Sequence, residues 1–233
     1  MLLPQPLITG VLIRRYKRFL ADVRLESGEV VTAHTPNTGS MLGCSSPGSR
    51  VWLSRAENPK RKYPWTWELT ETESGVLVGI HTGRSNGLVW EALAEGKAAE
   101  LAGYRPVRRE VVVENGRLDM LLENAEDRAC YVEVKNVTAV DEQGTAIFPD
   151  AVSVRASRHL ETLAELVVKG HRAVIFFCVQ RGDARRLSPA DVIDPVYGQT
   201  LRRVSALGVE ALAWRADVSQ RAIVLETPLP VVC

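Results

Sequence analysis

The sequence predicts an α+β chain of two domains, a small all-β domain over residues 1–80 and an α/β layer over residues 81–233. Three observations lead there. Residues 1–80 hold six short runs rich in β-branched and aromatic residues, separated by Gly- and Pro-bearing links, with no helical repeat among them. Residues 81–233 read as helix, three strands, helix, strand, which makes the second helix a crossover between parallel strands. Charge divides at the same place: ten Lys/Arg stand against seven Asp/Glu in the first part, 19 against 21 in the second.

In the first domain the predicted strands are Val11–Tyr16, Phe19–Leu25 and Val30–His34, then Val51–Ser54, Tyr63–Leu69 and Val76–Ile80, with a tight turn at Ser27-Gly28-Glu29. At this length an OB-like β-barrel is the expected closure. Two basic clusters interleave with aromatics, Arg14, Arg15, Tyr16, Lys17 and Arg18, and then Lys60, Arg61, Lys62, Tyr63 and Trp65. Cations can track a phosphate backbone while flat rings stack on bases. Alternating aromatics in a strand are equally what a core contains. The loop His34–Cys44 carries two glycines, a proline and the polar Asn37, Thr38 and Ser40. It can cradle an anion, with Asn37 and Thr38 on phosphate, or simply cap the barrel. His34 is expected as a hydrogen-bonded turn residue, since no second histidine lies at ligand spacing.

In the second domain a helix is predicted over residues 88–101, its stripe made of Leu88, Ala92, Leu93 and Ala99 and its stop at Gly103. A strand at Val107–Val113 leads to the hairpin signal Asn115-Gly116. Two charged strands follow, Arg117–Leu122 and Cys130–Thr138, joined by the polar link Asn124–Arg128. After a polar loop to Ala146, Pro149 and Asp150 are suited to opening a long helix from Val152 to Lys169. Ala173–Val179 is an uninterrupted apolar strand, expected to be buried on both faces. A helix over Pro195–Leu207, a strand at Val209–Trp214 and a mixed tail complete the chain.

The charged strands carry the chemistry. Glu133 and Lys135 are two apart and leave one face of a strand, while Val132 and Val134 leave the other. If the link makes a hairpin, Asp119 comes up beside Glu133. Two carboxylates, an ammonium and the Val134 carbonyl then converge, a donor set suited to Mg²⁺ or Mn²⁺, which take few carboxylates and leave room for water and phosphate. Lys135 would lie near the attacking water or the phosphate oxygens that gain charge. Asp, a spacer, then Glu-x-Lys resembles the signature of the PD-(D/E)XK nuclease superfamily, and the order of elements matches that core. The alternative is ordinary surface charge on two strands. Such cores often add a carboxylate from the first helix, for which Glu91 is the candidate, or else a solvated helix residue. Arg155 and His159 are four apart and share a helix face. They contact phosphate if that face looks into the cleft and are surface residues if it does not.

Composition excludes several classes. Hydrophobic content of 45% and charged content of 24% are those of a soluble globular protein. No apolar run approaches a membrane span, and the N-terminus lacks a signal-peptide core. Four scattered cysteines without a CxxC argue against structural zinc and make a reducing cytoplasm the natural setting.

Several stretches together resemble one family along nearly the whole chain, the sugar fermentation stimulation protein family (SfsA). They are Arg15-Tyr16-Lys17-Arg18-Phe19-Leu20-Ala21-Asp22-Val23, His34-Thr35-Pro36-Asn37-Thr38-Gly39, Lys60-Arg61-Lys62-Tyr63-Pro64, Arg117-Leu118-Asp119, Glu133-Val134-Lys135, Phe148-Pro149-Asp150-Ala151 and Arg172-Ala173-Val174-Ile175-Phe176-Phe177. The resemblance implies an N-terminal OB-like domain joined to a C-terminal PD-(D/E)XK nuclease-like α/β domain, with DNA as partner. It places the site at Asp119, Glu133 and Lys135, all three of which match. His81 stands where relatives often have Asn, and Asn136 where Ser is common. Nuclease-like cores are often paired to reach both strands, so the resemblance admits a homodimer. Three functions follow: a metal-dependent nuclease, a non-catalytic DNA-binding regulator of sugar (maltose) metabolism genes on the same fold, and a sugar-binding protein. Clustered cations at Lys60–Lys62 suit phosphate better than neutral sugar.

Overall fold

The computed structural model describes residues 1–233. The first domain is built from β1 (Ile8–Tyr16), β2 (Leu20–Leu25), β3 (Val30–His34), β4 (Arg50–Arg55), β5 (Trp65–Glu71) and β6 (Leu77–Gly79). Strands β1 to β5 close on themselves, because β3 pairs with β5 as well as β2, and β6 is appended to β5. Alternation fills this OB barrel with Leu12, Val23, Ala33, Leu53 and Trp67, all fully buried. Trp67 is therefore core, and its indole N–H donates to the Leu69 carbonyl.

The second domain contains α1 (Ser85–Ala94), β7 (Arg105–Val113), β8 (Gly116–Glu123), β9 (Ala129–Val137), β10 (Thr145–Phe148), α2 (Val154–Val168), β11 (Arg172–Val179), β12 (Arg186–Pro189), α3 (Pro195–Ala206), β13 (Glu210–Val218) and β14 (Ile223–Leu229). Its main sheet has the order β14-β13-β11-β9-β8-β7. Strands β7, β8 and β9 form an antiparallel meander, and β9 pairs in parallel with β11, so α2 is the crossover. The α1 side of the sheet is packed with Leu88, Met120, Val132 and Phe176. The other side, under α2 and α3, holds Leu160, Leu163, Ile175 and Phe177. Each of these leucines, fully buried, contributes about 1.5–3 kcal/mol. This is the nuclease-like α/β core that the order of elements predicts.

Helix α1 ends well before residue 101. Gly96, at φ +68°, adopts the left-handed turn that L side chains resist, and its N–H donates to Leu93 while that of Lys97 donates to Ala92. Residues 99–101 form a separate 3-10 turn. Pro149 and Asp150 do not open α2. Its cap is Ser153, whose hydroxyl accepts from Ala156 N–H at 3.2 Å. The polar loop ends in an unexpected strand, β10, which pairs in parallel with β12. Neither has a strong pattern, being four residues long and half-covered.

The two domains share a core and a set of polar ties. Trp52 and Leu69 of the barrel belong to the α1-side core. Glu68, 2% exposed, receives both arms of the Arg84 guanidinium at 2.8 Å and the Ser54 hydroxyl at 2.7 Å. The Gly79 N–H donates to the Gln180 carbonyl. The first residues, expected with the barrel, lie instead on the second domain: Met1 and Ile223 exchange backbone hydrogen bonds, and Leu3 donates to Arg221. No helix is long and apolar enough to cross a membrane. Cys44, Cys130 and Cys178 are buried free thiols. Burial pushes Cys130 and Cys178 up to about 12, leaving them inert.

Candidate active site

The antiparallel ladder between β8 and β9 runs from Glu123↔Ala129 to Met120↔Val132 and stops there. The next pair in register would be Asp119 and Glu133. Two carboxylates side by side repel, and the strands part at this point. The Asp119 side chain enters the gap. Its Oδ2 accepts from the Val134 N–H at 2.7 Å, and its Oδ1 accepts from the Asn86 amide at 2.7 Å. Both backbone groups of one strand residue face the same neighbour, so the Val134 carbonyl turns to this gap as well.

Glu133 is 3% exposed. Its Oε1 accepts from Lys135 Nζ at 2.7 Å and is in close contact with His159 Nδ1, and Lys135 Nζ lies 3.1 Å from the same ring nitrogen. Helix α2 thus delivers His159 onto the Glu-x-Lys face of β9. Burial pushes the Glu133 carboxyl up, but the His159 hydrogen bond and Lys135 outweigh it and hold the group below the usual range. Asp119 moves the other way. Burial first, and then the Glu133 charge, raise it above an ordinary aspartate. Two neighbouring carboxyls driven apart in this way are a mark of functional sites.

The remaining Glu133 oxygen, Oε2, is buried without a hydrogen-bond partner. An orphaned carboxylate oxygen costs heavily unless a cation neutralises it. Asp119, Glu133 and the Val134 carbonyl are all hard oxygen donors and fit Mg²⁺ or Mn²⁺. No group of three or more His, Cys, Asp and Glu side chains gathers as a ligand set anywhere in the chain.

Glu91 is not part of the site. Its carboxylate pairs with the Met1 ammonium at 2.5 Å, and Asn86 is the α1 residue that reaches Asp119. Sequence reasoning missed Asn86 because it looked for a carboxylate. Its position in the first turn of α1 was the available signal. Arg155 is exposed, with Nε 3.4 Å from His159 Nε2, and so stands at the rim.

The barrel clusters divide. Arg15 is structural: its guanidinium donates to the carbonyls of Arg18, Asn37 and Gly39 at 2.7–2.9 Å. Arg14 and Tyr16 both bond Asp22, and the Arg14 guanidinium lies 4.9 Å from the Tyr16 ring. Arg61 donates to Thr66, and Trp65 packs half-buried on the barrel core. Lys17, Arg18, Lys60 and Lys62 remain exposed, with Lys62 Nζ 5.5 Å from the Tyr63 ring. The loop read as an anion cradle already holds an anion of this chain. Asp150 Oδ2 accepts from the Met41 N–H at 3.0 Å, and Asn37 Oδ1 accepts from Gly39 at 2.9 Å. A Cβ at Gly39 would stand 2.8 and 2.9 Å from the two Asp150 oxygens, so a side chain there would push the carboxylate off the Met41 N–H. His34 is not hydrogen-bonded through Nδ1, which is buried and unpartnered.

An OB barrel fused to a nuclease-like α/β core, with Asp119 bonded to Val134 of β9 and Glu133 bonded to Lys135 on that same strand, defines a class of two-domain nuclease-fold proteins. Within it, the profile described as "SfsA N-terminal OB domain" matches residues 13–80, and the one described as "Sugar fermentation stimulation protein RE domain" matches residues 83–222. The chain belongs to the sugar fermentation stimulation protein family. It is 56% identical over 237 residues to the sugar fermentation stimulation protein homolog of Alkalilimnicola ehrlichii, covering 100% of both chains. With the homolog of Thioalkalivibrio sulfidiphilus identity is 58%, covering 97% of this chain and 95% of that one. The structure of Pyrococcus furiosus SfsA in complex with Ca²⁺ superimposes with a TM-score of 0.89 at 27% identity, over 99% of this chain and 97% of that one.

Proposed function

We propose that this protein is a metal-dependent nuclease acting on DNA. The observation that carries the reading is the buried, unpartnered Glu133 Oε2 beside Asp119 and Lys135, two carboxylates and an ammonium brought together. Asp119, Glu133 and the Val134 carbonyl would hold Mg²⁺ or Mn²⁺, which when bound polarises a phosphoryl oxygen and lowers the pKa of water. A P. furiosus relative of the same fold in complex with Ca²⁺ supports a divalent, oxygen-liganded site. Asn86 and the Val134 N–H hold the Asp119 carboxylate still. Lys135, steadied by Glu133 and His159, donates to the phosphate as charge builds on its oxygens. The water oxygen bonds to phosphorus and releases a proton to solvent as the ester P–O bond to the leaving strand breaks, and the departing alkoxide takes a proton from solvent. Lys17, Arg18, Lys60 and Lys62 on the barrel and Arg155 at the rim hold the backbone.

The test is incubation of the protein with labelled single- and double-stranded DNA and RNA in Mg²⁺ and then Mn²⁺, beside Asp119→Ala and Lys135→Ala, with binding measured on the same samples. Metal-dependent cleavage lost in both variants is expected. Binding without cleavage in either metal, unchanged in the variants, would overturn the reading and leave a DNA-binding regulator.

A further inference from the structure

The ladder between β8 and β9 ends at Met120↔Val132, so the part of β9 that carries Glu133, Val134 and Lys135 has no ladder on its β8 side. On the other side it stays in register with β11, from Ile175↔Glu133 to Val179↔Val137. Side chains stand in for the missing ladder. Asp119 accepts from the Val134 N–H, and one residue past Lys135 the Asn136 side chain meets Ser85 of α1.

A triangle of side chains closes at that point. The Ser85 hydroxyl donates to Asn136 Oδ1 at 2.9 Å. Gln180, which follows β11, donates from Nε2 to the same oxygen at 2.5 Å and to the Ser85 hydroxyl at 3.2 Å. The His81 carbonyl lies 3.4 Å from that nitrogen. Two corners adjoin the carboxylate site in sequence. Asn136 follows Lys135, and Ser85 precedes Asn86, whose amide holds Asp119. Gln180 is remote from both and joins them. Its backbone also seats the barrel, since its carbonyl accepts from the Gly79 N–H of β6 at 2.9 Å and Arg181 bridges to Val78.

A glutamine is a costly choice for this position. The side chain is fully buried and its Oε1 has no partner, a loss that an apolar side chain of similar shape would avoid. What the amide supplies, and methionine would not, is a pair of donors. We propose that Gln180 is a positioning residue of the carboxylate site. Its amide locks Ser85 to Asn136, and so fixes the start of α1, with Asn86 and the Asp119 carboxylate it holds, against the Lys135 segment of β9. The inference rests on the nuclease reading for its effect on rate, but not for its geometry.

Gln180→Met keeps the length of the side chain and removes both donors, and Ser85→Ala removes a second corner. Both are tested in the full chain, with thermal unfolding recorded. In the metal-free protein, NMR should show the Val134 N–H exchanging about tenfold faster than in the native chain, as loss of a hydrogen bond's net contribution allows, and the Asn86 side-chain amide signals displaced. Mn²⁺ affinity by calorimetry should fall about tenfold. Single-turnover cleavage should slow while strand affinity stays at the native value. The double variant should be no worse than the more affected single one, because the triangle acts as a unit. A residue that only fills the core would lower the unfolding temperature and leave Val134 exchange, the Asn86 signals and Mn²⁺ affinity native in the folded protein. That result in Gln180→Met, or in Ser85→Ala if Gln180→Met does not fold, would overturn the proposal. A native protein that binds no Mn²⁺ and cuts nothing removes only the nuclease reading, and the exchange measurements then decide the triangle by themselves. Native-like metal binding, cleavage and exchange in both variants removes only the triangle.

Discussion

Lys135 Nζ lies 2.7 Å from one carboxylate oxygen of Glu133, two residues earlier on the same strand, while the other oxygen of Glu133 is buried with no partner. One oxygen of the carboxylate is thus neutralised by the chain, and the other is the oxygen that the proposed cation would meet. Lys135→Ala should lower single-turnover cleavage by about 10²–10³-fold, as loss of a charge-stabilising donor does. Mn²⁺ affinity by calorimetry should change little, because Lys135 is not a ligand. Loss of metal binding in this variant would place the lysine in a structural role instead.

Asn86 touches neither the expected metal position nor substrate, yet its amide fixes Asp119 Oδ1 at 2.7 Å. Partners behind a ligand commonly contribute a factor of 10–100 in metal affinity. Asn86→Ala should therefore weaken Mn²⁺ binding by at least about tenfold, with rates recovering at high metal. Glu91→Gln, which disturbs only the pair with the Met1 ammonium, should leave both quantities unchanged.

Glu68 and Arg84 join the domains, and their removal tests that junction. Burial raises the Glu68 carboxyl, but the Arg84 and Ser54 hydrogen bonds prevail and hold it below the usual glutamate range. A depressed carboxyl contributes stability that is present above the unfolded pKa and is lost as pH falls through the folded one. Urea denaturation followed against pH should show that loss below about pH 4.5 in the native chain. Glu68→Gln leaves the Arg84 cation without its anion and should destabilise by about 3 kcal/mol at neutral pH, while flattening the acid limb. An unchanged acid limb would show that other carboxyls govern it.

The exposed turn residues Lys17 and Arg18 have φ of 48° and 64°, so Asn and Gly are suitable replacements that remove charge without strain. If both contact phosphate, Lys17→Asn with Arg18→Gly should reduce the slope of log affinity against log salt by about 1.4 on single strands. Stability should barely move. Arg15→Ala should do the reverse, unfolding the loops whose carbonyls it gathers while affecting the salt slope only through lost protein.

Local pattern was sufficient where chemistry and period act within one element. The two-residue spacing of Glu133 and Lys135 sets both on one face of a strand, whatever the rest of the chain does. The β-branched runs of residues 1–80 and the apolar run Ala173–Val179 specify strands in the same way. The Arg155 and His159 spacing specifies a shared helix face, and the hairpin between β8 and β9 specifies that Asp119 approaches Glu133. Element ends were less legible, since Gly96 and Gly103 both offer a left-handed stop and only packing selects the first.

The sequence by itself determined the two domains, the order of their elements and the residue types at the candidate site. Only the tertiary structure decided which of several equivalent side chains are used. Arg15 and Arg18 are near one another and of the same charge, yet one is tied to four carbonyls and the other faces solvent. Asn86 and Glu91 lie on one helix, yet the amide meets Asp119 and the carboxylate meets the chain's first residue. Asp150 was suited to a helix start, but the approach of the Met41 N–H made it a clasp between domains. A side chain's period is a property of its own element, whereas its partner lies on another element far away in sequence, and only the closed fold brings the two within hydrogen-bonding distance.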